Sequence, residues 1–61
     1  MSTKAMARFY TVLQVADLLE VSPRTVRRWI ADGDLSTHRF GRQVRISETD
    51  LRTFIGGART P

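Results

Sequence analysis

The sequence contains no cysteine, so neither a disulfide framework nor a zinc–thiolate site can supplement its core, and nothing in it points to an oxidising compartment. No apolar run approaches the ~18 residues that a membrane span needs. The first residues, Met-Ser-Thr-Lys-Ala-Met-Ala-Arg, lack the apolar stretch of a signal peptide. The expected location is therefore the cytoplasm. Internal repeats and low-complexity segments are missing too. At 61 residues, 41% of them hydrophobic, the chain lies near the lower limit for folding on one core. That size excludes a two-domain enzyme and leaves little room for an enclosed substrate pocket. No catalytic group, metal, cofactor or small-molecule ligand is expected.

Negative charge is scarce where positive charge is dense. Ten basic residues against six acidic ones leave a formal charge of +4, and every basic residue except Lys4 is arginine. Arg24, Arg27, Arg28, Arg39, Arg42 and Arg45 fall between Ser22 and Ile46, with only Asp32 and Asp34 among them. The planar guanidinium fork can donate two parallel hydrogen bonds to a phosphate or to a guanine edge. A clustered basic surface on a very small domain points to a polyanionic partner, most often nucleic acid. The alternative is solvated charge that only keeps the protein soluble.

Hydrophobic periodicity organises residues 10–56 into one domain, between a loose arm at 1–9 and a disordered tail at 57–61. Thr11 and Gln14 form a capping box, and Tyr10 can staple onto Val15. Val12, Val15, Ala16 and Leu19 then follow the i, i+3, i+4, i+7 pattern of a helix, with Leu13 and Leu18 widening the stripe. Ser22-Pro23 opens a second helix, serine as N-cap and proline at the first helical position. At ~100° per residue, Val26, Trp29 and Ile30 form its inner face while Arg24 and Arg28 point outward, with Arg27 and Thr25 on the flanks. Asp32-Gly33-Asp34 stops it, Gly33 being available for a left-handed cap. From Leu35 the period becomes two, and residues 36–40 and 43–46 read as a hairpin around Gly41-Arg42. A three-residue loop, Gly41 to Gln43, would set His38, Phe40, Val44 and Ile46 on one face and Arg39 with Arg45 on the other. A two-residue loop would instead pair Phe40 with Gln43 and put Arg39 beside Val44. The first separates apolar from charged residues and is the expected register. Ser47 caps a third helix with Glu48 and Asp50 in its first turn, Leu51, Phe54 and Ile55 on its apolar face, and Gly56-Gly57 at its end.

The expected architecture is mainly α with a small β-hairpin, a winged helix-turn-helix in the order α-α-β-β-α. The segment VLQVADLLEVSPRTVRRWIADG places its apolar residues where that motif needs them, except that Glu20 stands at the turn position where glycine is common. If that position requires a positive φ, glutamate costs about 1 kcal/mol there. Together with the run RFGRQVRI and the serine-capped acidic start SETDLRTFI, the chain resembles the excisionase-type DNA-binding domains of the MerR-like superfamily over residues 10–55. The resemblance implies that the second helix enters a major groove and the hairpin wing meets the adjacent minor groove or backbone. Ser22, Arg24, Thr25, Arg27 and Arg28 then become recognition-helix contacts. Arg42 becomes the wing tip, flanked by Arg39 and Arg45.

Elementary geometry agrees. Arg24 and Arg28 lie one turn apart on the exposed face and are the candidates for base edges, while Arg27 points sideways as a phosphate clamp. Thr25 can reach phosphate, and Ser22 serves mainly as a cap. Arg42 suits a narrow minor groove. The function the resemblance implies is sequence-specific binding of double-stranded DNA by an excisionase, or recombination directionality factor, associated with the nucleoid. Such a protein binds and bends attachment-site DNA beside further copies of itself and steers an integrase toward excision of a mobile element. The alternative is a small MerR-like transcriptional regulator at a promoter. Only six residues follow Ile55, too few for the long dimerisation helix of many such regulators, which favours the excisionase. Other readings are weaker. His38 has no triad partners in view, and Asp32-Gly33-Asp34 lacks the remaining ligands of a calcium loop. Trp29 belongs to the inner face rather than to a base stack, the second helix is too short for a membrane surface, and the hairpin offers no aromatic platform for RNA.

Overall fold

Three hydroxyl side chains start the three helices. In the computed structural model, which describes residues 8–58, the order is β1 (Phe9–Tyr10), α1 (Val12–Leu19), α2 (Pro23–Ala31), β2 (His38–Phe40), β3 (Gln43–Ser47) and α3 (Glu48–Gly57). Thr11 Oγ1 accepts from the Gln14 N–H at 3.0 Å while Gln14 Oε1 accepts from the Thr11 N–H at 2.9 Å, the reciprocal capping box. Ser22 Oγ accepts from the Thr25 N–H at 3.1 Å, with Pro23 next in line. Ser47 Oγ accepts from the Asp50 N–H at 3.0 Å, and Glu48 and Asp50 complement the positive end of the α3 dipole.

The first two helices end in the same way on different residues. Val21 N–H donates to the Ala16 carbonyl at 2.9 Å and Glu20 N–H to Asp17 at 3.2 Å. Asp34 N–H donates to Trp29 at 2.9 Å and Gly33 N–H to Ile30 at 3.1 Å. Both are the paired six-to-one and five-to-two bonds of a Schellman cap, which needs a left-handed residue just beyond the helix. That residue is Gly33 (φ 83°) after α2 and Glu20 (φ 56°) after α1. The turn between α1 and α2 therefore does demand a positive φ, as the motif implied, and it is met by an L residue.

Val15, Ala16, Val26, Leu35, Ile46 and Leu51 form the core, and Tyr10, Val12, Leu19, Val21, Trp29, Ile30 and Phe54 pack around it. Leu35 is buried in the connection between α2 and β2, where its N–H also donates to the Trp29 carbonyl at 3.2 Å. Leu13 and Leu18 do not widen the stripe as expected; they are 63% and 57% exposed. Each lies ~110° from the centre of the buried face, and α1 is packed on one side only. On α3, Leu51 is buried and Phe54 meets Trp29 with ring centroids 4.7 Å apart, but Ile55 stays largely exposed. The helix continues through Gly56 and Gly57 instead of stopping at them. Residues 59–61 of the expected tail, and 1–7 of the expected arm, lie outside the described residues.

The sheet differs from expectation in two ways. It has a third strand: Phe9 and Tyr10 pair antiparallel with Ser47 and Ile46, and the Arg8 carbonyl accepts from the Glu48 N–H at 2.8 Å. The strand order is β1-β3-β2, so Phe9 belongs to the fold and not to an arm. The hairpin register is also the other one. Phe40 opposes Gln43, Arg39 opposes Val44, and His38 opposes Arg45, leaving a two-residue Gly41-Arg42 loop. Gly41 has φ 64° while Arg42 stays in the ordinary negative range, matching a loop whose first residue is glycine. The three-residue alternative would have needed glycine last. Phe40 consequently lies on the outer face of the sheet with His38, Gln43 and Arg45, and is 52% exposed. Phe9 closes over this face, its ring nearly perpendicular to Phe40 at 5.4 Å and to His38 at 5.5 Å. Asp50 Oδ2 stands 3.3 Å from His38 Nε2, tying the wing to the first turn of α3.

Candidate nucleic-acid interface

The helix α2 separates its chemistry cleanly. Val26 has no exposed surface and Ile30 and Trp29 are half-buried against the core, whereas Arg24, Arg27 and Arg28 are exposed. Ser22, besides capping the helix, has its Oγ 2.9 Å from Thr25 Oγ1, which fixes both hydroxyls at the start of the exposed face. Arg24, Thr25 and Arg28 line one shallow hollow of about 280 Å³. A second, about 300 Å³, lies between α2 and the wing and is lined by Val12, Arg27, Ile30, Arg42 and Val44. The two hollows continue the basic surface from the helix to the hairpin tip.

Charge pairing decides what this surface can do. The Arg52 guanidinium is taken by Glu48 at 2.9 Å across one turn of α3. Among the described residues, Arg24, Arg27, Arg28, Arg39 and Arg42 have no acidic partner. These five guanidinium groups on α2 and the wing make a positive surface that suits an external polyanion. Against this geometry the sequence comparisons are specific. The model of a family described as "Helix-turn-helix domain" matches residues 9–59.

The chain belongs to the helix-turn-helix domain family. Membership makes it a DNA-binding domain, with α1 and α2 as the two helices of the motif and Glu20-Val21 in the turn. It is 41% identical over 46 residues to a protein named "Excisionase" from Mycobacterium phage D29, covering 74% of this chain and 82% of that one. It is also 47% identical over 45 residues to the "Uncharacterized protein YvgK" of Bacillus subtilis (strain 168), where the match covers 74% of this chain and 15% of the relative. The chain thus spans a small part of YvgK and most of the phage protein.

Within this helix-turn-helix domain the structure distributes the arginines singled out from sequence over two sides of the wing. Arg39 is exposed opposite Val44, on the sheet face that also carries Ile46 and Tyr10, and Arg42 stands at the tip beside the second hollow. Arg45 lies on the other face with His38 and Gln43. Its Nη1 donates to the Val44 carbonyl at 2.8 Å and to Gln43 Oε1 at 3.5 Å. Sequence reasoning grouped Arg39 with Arg45 because it used the wrong register. It also missed the contribution of Val12 and Val44, whose half-buried side chains line the hollow between Arg27 and Arg42. Their apolar character marks them only as core, so nothing in the sequence distinguishes them as part of a basic cleft. Among the described residues no helix is long and apolar enough to cross a membrane, and no cluster of acidic, histidine or cysteine side chains forms a metal site.

Proposed function

We propose that this protein is an excisionase, an accessory factor without chemistry of its own that binds and bends attachment-site DNA and directs an integrase toward excision of a mobile element. The observation that carries this reading is the division of α2, with Val26 sealed in the core and Arg24 and Arg28 unpaired on the outside, next to an arginine-tipped wing. The likeness to the phage D29 excisionase over 82% of that protein supports the biological role. Arg24 and Arg28 read base edges from the major groove, with Ser22 and Thr25 at the phosphate where the helix enters. Arg27 holds backbone, while Arg42 and Arg39 engage the neighbouring minor groove or its phosphates. Arg45 braces its own strand. A single module of this kind covers roughly 600–1,000 Å² of its surface on DNA, so adjacent copies or an integrase contact supply the rest of the affinity.

Two measurements test the reading. Titration of labelled duplex across a salt series should show affinity falling with salt, with a log–log slope of about −0.9 for each phosphate the arginines neutralise; no binding at low salt removes it. Deleting the gene should abolish excision of its element while integration continues. Unchanged excision together with altered transcription of neighbouring genes would favour a MerR-like regulator instead.

A further inference from the structure

The hollow between α2 and the wing has a composition that a bare anion does not require. Val12 from the start of α1, Ile30 from the last turn of α2 and Val44 from β3 are half-buried and form its apolar part. Arg27 and Arg42 are exposed, come from separate elements, and line the same space. No acid neutralises either guanidinium among the described residues. At about 300 Å³ the hollow is at the small end of ligand sites. A sugar–phosphate unit of a DNA strand matches it: an anionic phosphate for two guanidinium forks, joined to a deoxyribose whose carbon edge can lie on aliphatic side chains.

We propose that Arg27 and Arg42 close on one and the same phosphate, that of the strand running between the major groove occupied by α2 and the minor groove met by the wing, with Val12, Ile30 and Val44 against its sugar. The inference rests on the DNA-binding reading and deepens it. Sequence alone gives the two arginines separate tasks, a clamp on the helix and a probe on the wing. The shared cleft makes them one contact, which sets the angle between helix and wing on the duplex. It also couples them energetically, because residues with a common partner do not contribute additively.

The test is a double-mutant cycle read through salt dependence. Binding of a fluorescently labelled 20-base-pair duplex of mixed sequence is measured by anisotropy over a sodium chloride series for the wild type, Arg27→Ala, Arg42→Ala and the double variant. Thermal unfolding verifies that each variant folds, as expected for two exposed side chains. Loss of one shared phosphate contact makes the double variant's log–log slope shallower by about 0.9, and loss of two independent contacts by about 1.8. The shared cleft predicts the smaller value, with affinity losses in the double variant less than the product of the single fold-changes. A slope change near 1.8 with multiplicative losses overturns it, as does no change. If the wild type fails to bind duplex at low salt, the DNA-binding reading falls and takes this inference with it, whereas intact binding with independent losses removes the shared cleft alone.

Discussion

Replacing Glu20 by glycine should make this protein more stable, and the structure supplies the size of the effect. Two helices end in the same hydrogen-bonded cap, one on Gly33 at φ 83° and the other on Glu20 at φ 56°. A left-handed L residue costs about 1–2 kcal/mol through the approach of its Cβ to the following carbonyl oxygen. Glycine avoids that cost but loses about 0.5–1 kcal/mol more chain entropy on folding. The Glu20 side chain is exposed and makes no hydrogen bond or ion pair among the described residues, so the substitution forfeits nothing else. The net gain is about 0.5–1 kcal/mol, which in a domain of this size raises the thermal midpoint by about 4–8 °C. Circular dichroism at 222 nm during heating reads this directly. Glu20→Gln keeps the backbone demand while removing the charge, and its midpoint should stay close to that of the wild type. Gly33→Ala supplies the converse. A Cβ there would meet nothing within 4 Å, so its net loss of about 0.5–1 kcal/mol reports the backbone conformation alone. A midpoint for Glu20→Gly that is unchanged or lower would refute the reasoning, because it would mean that the turn does not hold residue 20 in the left-handed region.

On the DNA side, Arg24→Ala and Arg28→Ala should each cost about 1–3 kcal/mol at a selected site and relax its sequence preference. Arg27→Ala should weaken all sequences alike; binding-site selection on the three variants separates these outcomes, and equal losses on random and selected DNA for all three would refute the base-contact assignment. Ser47→Ala should destabilise the fold by about 1 kcal/mol or more in a denaturant titration, since its buried hydroxyl caps α3 through the Asp50 N–H. Raising sodium chloride from low to physiological levels should raise the melting midpoint of the free protein slightly, by screening the unpaired arginines from one another, while lowering its affinity for DNA.

What could be read from the sequence was whatever depends on near neighbours along the chain. The three caps are contacts across three residues, and Thr11, Ser22 and Ser47 make them where the pattern places them. The inner face of α2 is a matter of helical period, and Val26, Trp29 and Ile30 lie on it. What escaped was set by contacts distant in sequence. Two residues, Phe9 and Tyr10, carry no strand signal of their own; they become a strand only because β3 offers an edge for them. Leu35 reads only as the point where the period changes to two, yet it is a core residue in a connection, held there by the end of α2.

The hairpin shows why such an error matters for the functional surface. Sorting Phe40 onto one face with His38, Val44 and Ile46 rested on separating apolar from charged residues. Phe40 instead stays half exposed on the outer face, edge-on to the ring of Phe9, and the inner face of the wing carries Arg39 and Val44. One residue of register therefore decides which arginine shares a face with Val44 and which one folds back on its own strand: in the observed pairing these are Arg39 and Arg45. Loop chemistry held the deciding information, since a glycine first in the loop with a positive φ belongs to a two-residue turn, whereas hydrophobic patterning favoured the alternative. In a wing this short no strand residue between His38 and Phe40 is buried, so patterning has no core to report on and turn geometry is the stronger signal.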